Sequence, residues 1–289
     1  MGTSGARVVG RMVDTARYPL AAPTGADWKY VVSRTRRELH NTGCSILPGF
    51  IRPSRCEELQ QECATIAPAA YYEVETVNAY NIAPEVTLPA DHPGSVAMLR
   101  GNAFVARDRI PEDFIIHRLY TDELFQRFIA DCFGLDRIHE LADPLAGLCL
   151  NVVMPGTEHP WHFDTNEFAV SLLTREPRAG GVFEYCPDIR SAQAENFDDV
   201  RAVLAGRGEH LIRRLSLRPG DLQLFKGRYS MHRVSSVHGD TARHSAIFAY
   251  SERHGVVGSV ARTRQLFGRV LPQHLAADGN AVRVDRLLD

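Results

Sequence analysis

His162 and Asp164, in the run Glu158-His159-Pro160-Trp161-His162-Phe163-Asp164, stand two residues apart. On extended backbone, residues at that spacing point to the same side, so an imidazole and a carboxylate there can aim at one point. His232, in Ser230-Met231-His232-Arg233-Val234, comes seventy residues later and opens another apolar segment. Two histidines and a carboxylate on one face of a metal leave three positions open, the donor set that suits a non-haem ferrous ion handling dioxygen. With 12 histidines in the chain, a His-x-Asp pair arises readily by chance. A second one exists, His238-Gly239-Asp240, but its glycine centre reads as a turn. Zinc held by His159, His162 and Asp164 would satisfy a tetrahedral site, yet it leaves His232 and Arg243 without a purpose.

Arg243 follows His232 by eleven residues and precedes His244 and Ser245. A hairpin through Gly239-Asp240 is expected to bring it back beside His232, with Arg243 and Ser245 on one face. A guanidinium fork grips a carboxylate in two places, and a hydroxyl adds a further bond. A 2-oxo diacid that chelates the metal at one end would meet that pair at the other. Asn151, on the segment ahead of the His-x-Asp, either contacts this cosubstrate or satisfies buried backbone groups. His159 could touch a substrate or stand exposed beside Pro160. Thr165 and Asn166 follow the metal pair and could line a pocket. Trp161 reads as a core or lid aromatic. Glu184 either faces water or faces in toward a cation, with the outward reading slightly favoured.

The elements that must position these groups change character along the chain. Residues 1–27 read as a flexible arm. A helical and loop-rich layer, 28–142, includes helices over 28–40, from Pro53 to about Ile66, and 121–133, where Leu124, Phe125, Phe128, Ile129 and Cys132 share a face. Cys44–Leu47 reads as a short strand, whereas 68–110 resists assignment. From 143 to 252 the segments 146–153, 167–173, 181–185, 211–217, 221–225, 232–237 and 246–250 are short, apolar or alternating, and bounded by turns. Such spacing predicts a sandwich or barrel. An insertion, 188–210, has helical character over 198–204, and 253–289 is a tail. The whole is expected to form one structural domain.

Apolar residues make up 44 %, enough for a sizeable core, and the net charge of −2 argues against a nucleic-acid protein. Arg36-Arg37 and Arg213-Arg214 are too short to form a phosphate-binding face. The six cysteines form no CxxC pair and read as reduced, buried thiols. No membrane span or leader is visible, so a cytoplasmic location is expected.

The pattern His162-x-Asp164…His232…Arg243-x-Ser245 resembles the iron(II)/2-oxoglutarate-dependent dioxygenases over roughly residues 143–252. That resemblance implies a double-stranded β-helix (a jelly-roll, cupin-like barrel) with iron(II), 2-oxoglutarate and O₂. It also implies release of succinate and CO₂ as an unactivated C–H bond is oxidised. The runs Trp161–Phe168, Gly180–Tyr185 and Pro219-Gly220-Asp221 further resemble the BesD-type group, which acts on free amino acids and includes lysine halogenases and hydroxylases; His159 fits its pattern. Halogenases of that group carry Gly at the metal-carboxylate position. Asp164 therefore implies hydroxylation. Desaturation or ring closure at the same centre, a peptide hydroxylase, and a non-oxygenase cupin-like metal protein are the alternatives. An amino-acid substrate would need an arginine for its carboxylate, and Arg100 or Arg107 is the expected clamp. The expected partners are this small molecule and a second copy in a homodimer.

Overall fold

Alternating apolar segments pair into two antiparallel sheets in the computed structural model, which describes residues 9–83, 85–279 and 287–288. In chain order the strands of these sheets are β1 (Cys44–Leu47), β2 (Asn102–Val105), β3 (Leu148–Val153), β4 (His159–His162), β5 (Ala169–Arg175), β6 (Phe183–Cys186), β7 (Arg213–Leu215), β8 (Leu222–Phe225), β9 (Met231–Val234) and β10 (Arg243–Phe248). The larger sheet has the order β1-β8-β5-β10-β3-β2, and the smaller β7-β6-β9-β4. Together they make a jelly roll with helices on one side.

The period of two decides what each face of the larger sheet does. Leu148, Leu150, Val152, Val170, Leu172, Leu222, Leu224, Ala246 and Phe248 join the main core. The alternating set, Cys149, Asn151, Ser171, Gln223, Phe225, Arg243, Ser245 and Ile247, faces a cavity between the sheets. The core face is covered by helices α1 (Ala26–Thr42), α2 (Pro53–Ile66) and α3 (Glu123–Phe133). Helix α3 starts at Asp122, whose carboxylate accepts from the N–H groups of Leu124 and Phe125, and stops at the left-handed Gly134. It buries Phe125, Phe128, Ile129 and Cys132, each contributing roughly 1.5–3 kcal/mol. Trp28 Nε1–H donates to Asp131 at 2.9 Å and ties α1 to α3.

The expected arm is a correction. Residues 1–8 lie outside the described residues, but Val9, Met12, Val13, Tyr18 and Leu20 are buried in the core. Val9, Met12 and Val13 lie on or just past a short helical stretch and Tyr18 and Leu20 in the turns that follow, a burial that the high Gly, Ala and Pro content obscures. The unassigned stretch 68–110 supplies β2 and a short pair, Glu75–Val77 with Met98–Arg100. The expected insertion helix is α4 (Phe197–Leu204). The tail holds two further helices, α5 (Val260–Phe267) and α6 (Pro272–Ala276). The hairpin expected between His232 and Arg243 does not form as drawn. Val237–His238 pairs with Ala179–Gly180, and the chain crosses from the smaller sheet to the larger. Glu184 is 5 % exposed and accepts from Arg214 at 2.7 Å and Arg233 at 2.6 Å. It does point away from the barrel, opposite Arg233 in the register, but two guanidiniums cover it. Among the described residues no helix is long and apolar enough to cross a membrane.

Candidate metal centre

His162 and His232 sit directly opposite one another on β4 and β9, at the inner side of the smaller sheet. Their rings are 4.1 Å apart. The Nε2 atoms of His162 and His232 lie 3.8 Å and 3.6 Å from Oδ1 of Asp164. Among the described residues these three are the group whose ligand atoms converge, all within 4.8 Å of one another. Asp164 stands just past the end of β4. Its backbone N–H donates to the carbonyl of Gly227, and that of Phe163 to Ala79, so the extended spacing survives without ladder pairing.

The far side of each ring fixes which nitrogen is free. His162 Nδ1 lies 2.8 Å from the Pro160 carbonyl, and His232 Nδ1 lies 3.0 Å from that of Ser230. A carbonyl only accepts, so Nδ1 carries the proton and Nε2 presents a lone pair toward Asp164. Burial, followed by the neighbouring His159 and His232, holds His162 well below the usual imidazole range. A neutral imidazole is the form that ligates. Phe183 and Phe225 pack on the His232 ring at 5.5 Å and 4.8 Å, and His159 stacks on His162 at 3.9 Å. Two imidazole nitrogens and one carboxylate oxygen are the donor set that suits a ferrous ion.

Arg243 faces the same cavity from the opposite sheet. It is 4 % exposed, and its Nη1–H donates to Ser245 Oγ at 2.7 Å. Burial alone lowers its pKa, to about 10, so it stays charged at neutral pH with a hydroxyl as its bonded partner. A buried cation held this way is a site built for an anion. Asn151 is opposite Ser245 in the register, and its Oδ1 accepts from Asn102 at 3.0 Å, which turns its own NH₂ group away from Asn102. Thr165, Asn166 and His159 line the cavity as well. Trp161 does not. It lies on the outer side of β4, beneath the Arg233 guanidinium at 4.8 Å.

Arg100 and Arg107 lie elsewhere. Arg107 pairs with Glu140 at 2.9 Å and covers the Tyr120 ring at 4.8 Å. Arg100 is buried behind the cavity wall, bonded to Glu75 and to the Gln265 carbonyl, each at 3.0 Å. Its Nε and Nη1 have no hydrogen-bond partner. Neither arginine lines the cavity. The arginine that does, besides Arg243 and the exposed Arg264, is Arg262 on α5. Nothing in the amphipathic pattern of 260–267 signals that its helix overlooks a metal centre.

Residues 27–265 match the family model described as HalD, Halogenase D. The chain belongs to the halogenase D family. It is an iron(II)- and 2-oxoglutarate-dependent oxygenase, with those two species as its cofactors. No curated protein matches it by sequence. Solved structures share the jelly roll of this halogenase D member at low identity. A non-heme α-ketoglutarate-dependent carbocyclase, SnoK, from nogalamycin biosynthesis is 14 % identical, with 82 % of this chain and 92 % of that one covered and a TM-score of 0.50. A prolyl hydroxylase from Trichoplax adhaerens, solved with a hypoxia inducible factor peptide, is 14 % identical over 78 % of this chain and 90 % of that one, again with a TM-score of 0.50. AviO1 from Streptomyces viridochromogenes is 13 % identical over 77 % and 96 %, also at 0.50.

Proposed function

We propose that this halogenase D relative hydroxylates an unactivated C–H bond of a free amino acid or a related small metabolite. The supporting observation is a carboxylate-complete triad, His162, Asp164 and His232, facing a buried Arg243–Ser245 pair across one cavity. A halogenating centre needs the carboxylate's position for halide. Asp164 aims its own oxygen there, within 3.8 Å of both histidine nitrogens.

When bound, iron and 2-oxoglutarate would supply, with dioxygen as the oxidant, the oxidation of a C–H bond coupled to loss of CO₂ and formation of succinate. The chain's own residues do the rest. His162 and His232 offer Nε2, and the backbone carbonyls of Pro160 and Ser230 fix their orientation. Arg243 and Ser245 take the far carboxylate of 2-oxoglutarate. Asn151, with its amide turned by Asn102, offers donors beside it. The flanking Phe183 and Phe225 keep water from the His232 side. His159, Thr165 and Asn166 stand where a substrate would touch the centre.

The test is optical and anaerobic. Iron(II) and 2-oxoglutarate are added to the purified protein, and the weak visible metal-to-ligand charge-transfer band is recorded. The band is expected. Its absence from a folded, iron-loaded sample would overturn the assignment of the ligands and of Arg243. With the band in hand, coupled succinate release across free amino acids identifies the substrate.

A further inference from the structure

We propose that Arg262 is the substrate-recognition residue, and that it holds a carboxylate of the primary substrate from the C-terminal helix α5. This rests on the oxygenase reading above, in which Arg243 is already engaged by the cosubstrate.

The cavity measures about 1660 Å³, more than the roughly 300–1,000 Å³ of a typical single-ligand pocket. A metal and a five-carbon diacid do not fill it. Arg262 lines it, enclosed by protein and reached by solvent through the cavity. Among the described residues its hydrogen bonds all leave from Nη1. One goes to Asn81 Oδ1 at 3.0 Å and the other to Gln265 Oε1. Both acceptors are uncharged carboxamide oxygens, and among the described residues no carboxylate forms an ion pair with this arginine.

The carboxamides are set, not adventitious. Asn81 is held at φ +55°, in the left-handed region that asparagine tolerates. Its NH₂ donates to the Phe163 carbonyl at 3.5 Å, which leaves Oδ1 for Arg262. Phe163 lies between the two metal ligands of the His-x-Asp. The guanidinium is thereby indexed to the metal centre through two hydrogen bonds. Gln265, one helical turn on, accepts from the same nitrogen, and its own backbone carbonyl is held by Arg100.

Charge bookkeeping points to the same occupant. Burial first, and Arg100 second, push Arg262 down to about 10, while Asp164 and Glu75 pull it back up. It is therefore charged at neutral pH. Asp164 is committed to the metal and Glu75 to Arg100, so no protein anion remains to balance it locally. Arg243 reaches the cavity from a strand of the larger sheet and Arg262 from α5, so the two cations come from different elements. A small acid seated on Arg262 would be held near the iron position, since Asn81 ties the guanidinium to the carbonyl of Phe163, the residue between His162 and Asp164.

The experiment loads the protein with iron(II) and 2-oxoglutarate under argon. It is then titrated calorimetrically with the common free L-amino acids and with their matched α-carboxamides. At least one acid is expected to bind about ten-fold or more tighter than its amide. Arg262→Gln should erase that preference by weakening the acid alone, and Arg262→Lys should restore part of it. Gln265→Glu, which sets an anion on the intact Arg262, should reproduce the loss should Arg262→Gln fail to fold. 2-Oxoglutarate affinity, read from the charge-transfer band, should stay within two-fold in Arg262→Gln. Three results overturn the proposal: no acid-over-amide preference across the panel, a preference abolished by Arg100→Gln and retained in Arg262→Gln, or loss of 2-oxoglutarate affinity in Arg262→Gln. An acid preference that depends on Arg262 in a protein lacking the band would uphold the anion site and sink the oxygenase reading instead.

Discussion

A β-carbon at residue 227 would collide with the carboxylate of Asp164, while the Gly227 carbonyl accepts the Asp164 N–H at 3.1 Å. The loop between β8 and β9 thus supplies both the hydrogen bond that places Asp164 and the empty volume its side chain occupies. Gly227→Ala is expected to displace the carboxylate and weaken iron binding about ten-fold or more, since support lost around a metal ligand carries that cost. Equilibrium dialysis against ferrous ion, with circular dichroism as the fold check, decides it; unchanged iron affinity would show that the glycine is incidental. Arg243→Ala acts on the other ligand. Truncating one side of a buried charge pair costs about 2–5 kcal/mol, so 2-oxoglutarate affinity should fall by more than about thirty-fold with iron affinity nearly unchanged. An equal loss of both would mean that Arg243 serves the fold. At this scale the triad and Arg243–Ser245 were legible in the amino-acid order because extended backbone turns a spacing of two into a shared direction. Arg262, Asn81 and Gly227 were not. Their roles depend on which segment of chain lies opposite, and no local period encodes that.

The elements divide in the same way. Apolar patterning located most strands of the two sheets to within a few residues, although β2 and β4 fall outside the segments it marked, and the helix expected over 121–133 matches α3 closely. Pairing was another matter. Strands β4 and β9, seventy residues apart between their histidines, meet in register because both must bury one face against the same cavity. The turn at Gly239-Asp240 looked like a hairpin but serves as a crossing between sheets, because Val237–His238 is recruited by Ala179–Gly180. His238 is exposed on that short pair, away from the converging ligands. His238→Ala is therefore expected to leave iron loading and turnover within about two-fold, as surface substitutions of this kind usually do. Inactivation with the fold and iron intact would move the site to the second His-x-Asp.

Across the whole molecule, one buried carboxylate fastens the tail to the barrel. Asp143 accepts from the N–H groups of Leu145 and Ala146 just ahead of β3, at 2.8 Å and 2.7 Å, and from that of Gly258 at 2.9 Å. His274 in α6 lies 3.2 Å from it through Nε2, while the Leu271 N–H donates to His274 Nδ1. All of this is closed to solvent, with Asp143 and His274 both 0 % exposed. Asp143→Ala leaves several buried donors unmet, each costing about 1–3 kcal/mol, so a destabilisation on the order of 3–5 kcal/mol is expected by denaturant unfolding. Hydrogen exchange should rise first over 257–276, ahead of the strands; uniform acceleration would show that the tail and barrel open as one. The packing of 9–27 was hidden by its Gly, Ala and Pro content, and the clasp by the distance in sequence, more than a hundred residues, between Asp143 and the groups it meets in the tail.

The position of α5 has a corollary for how such enzymes diversify. Its eight residues belong to neither sheet, whereas His162, His232 and Arg243 are woven into strand ladders. A lineage can therefore exchange this one helix and acquire an appetite for a new molecule, while the oxidising apparatus is handed down untouched.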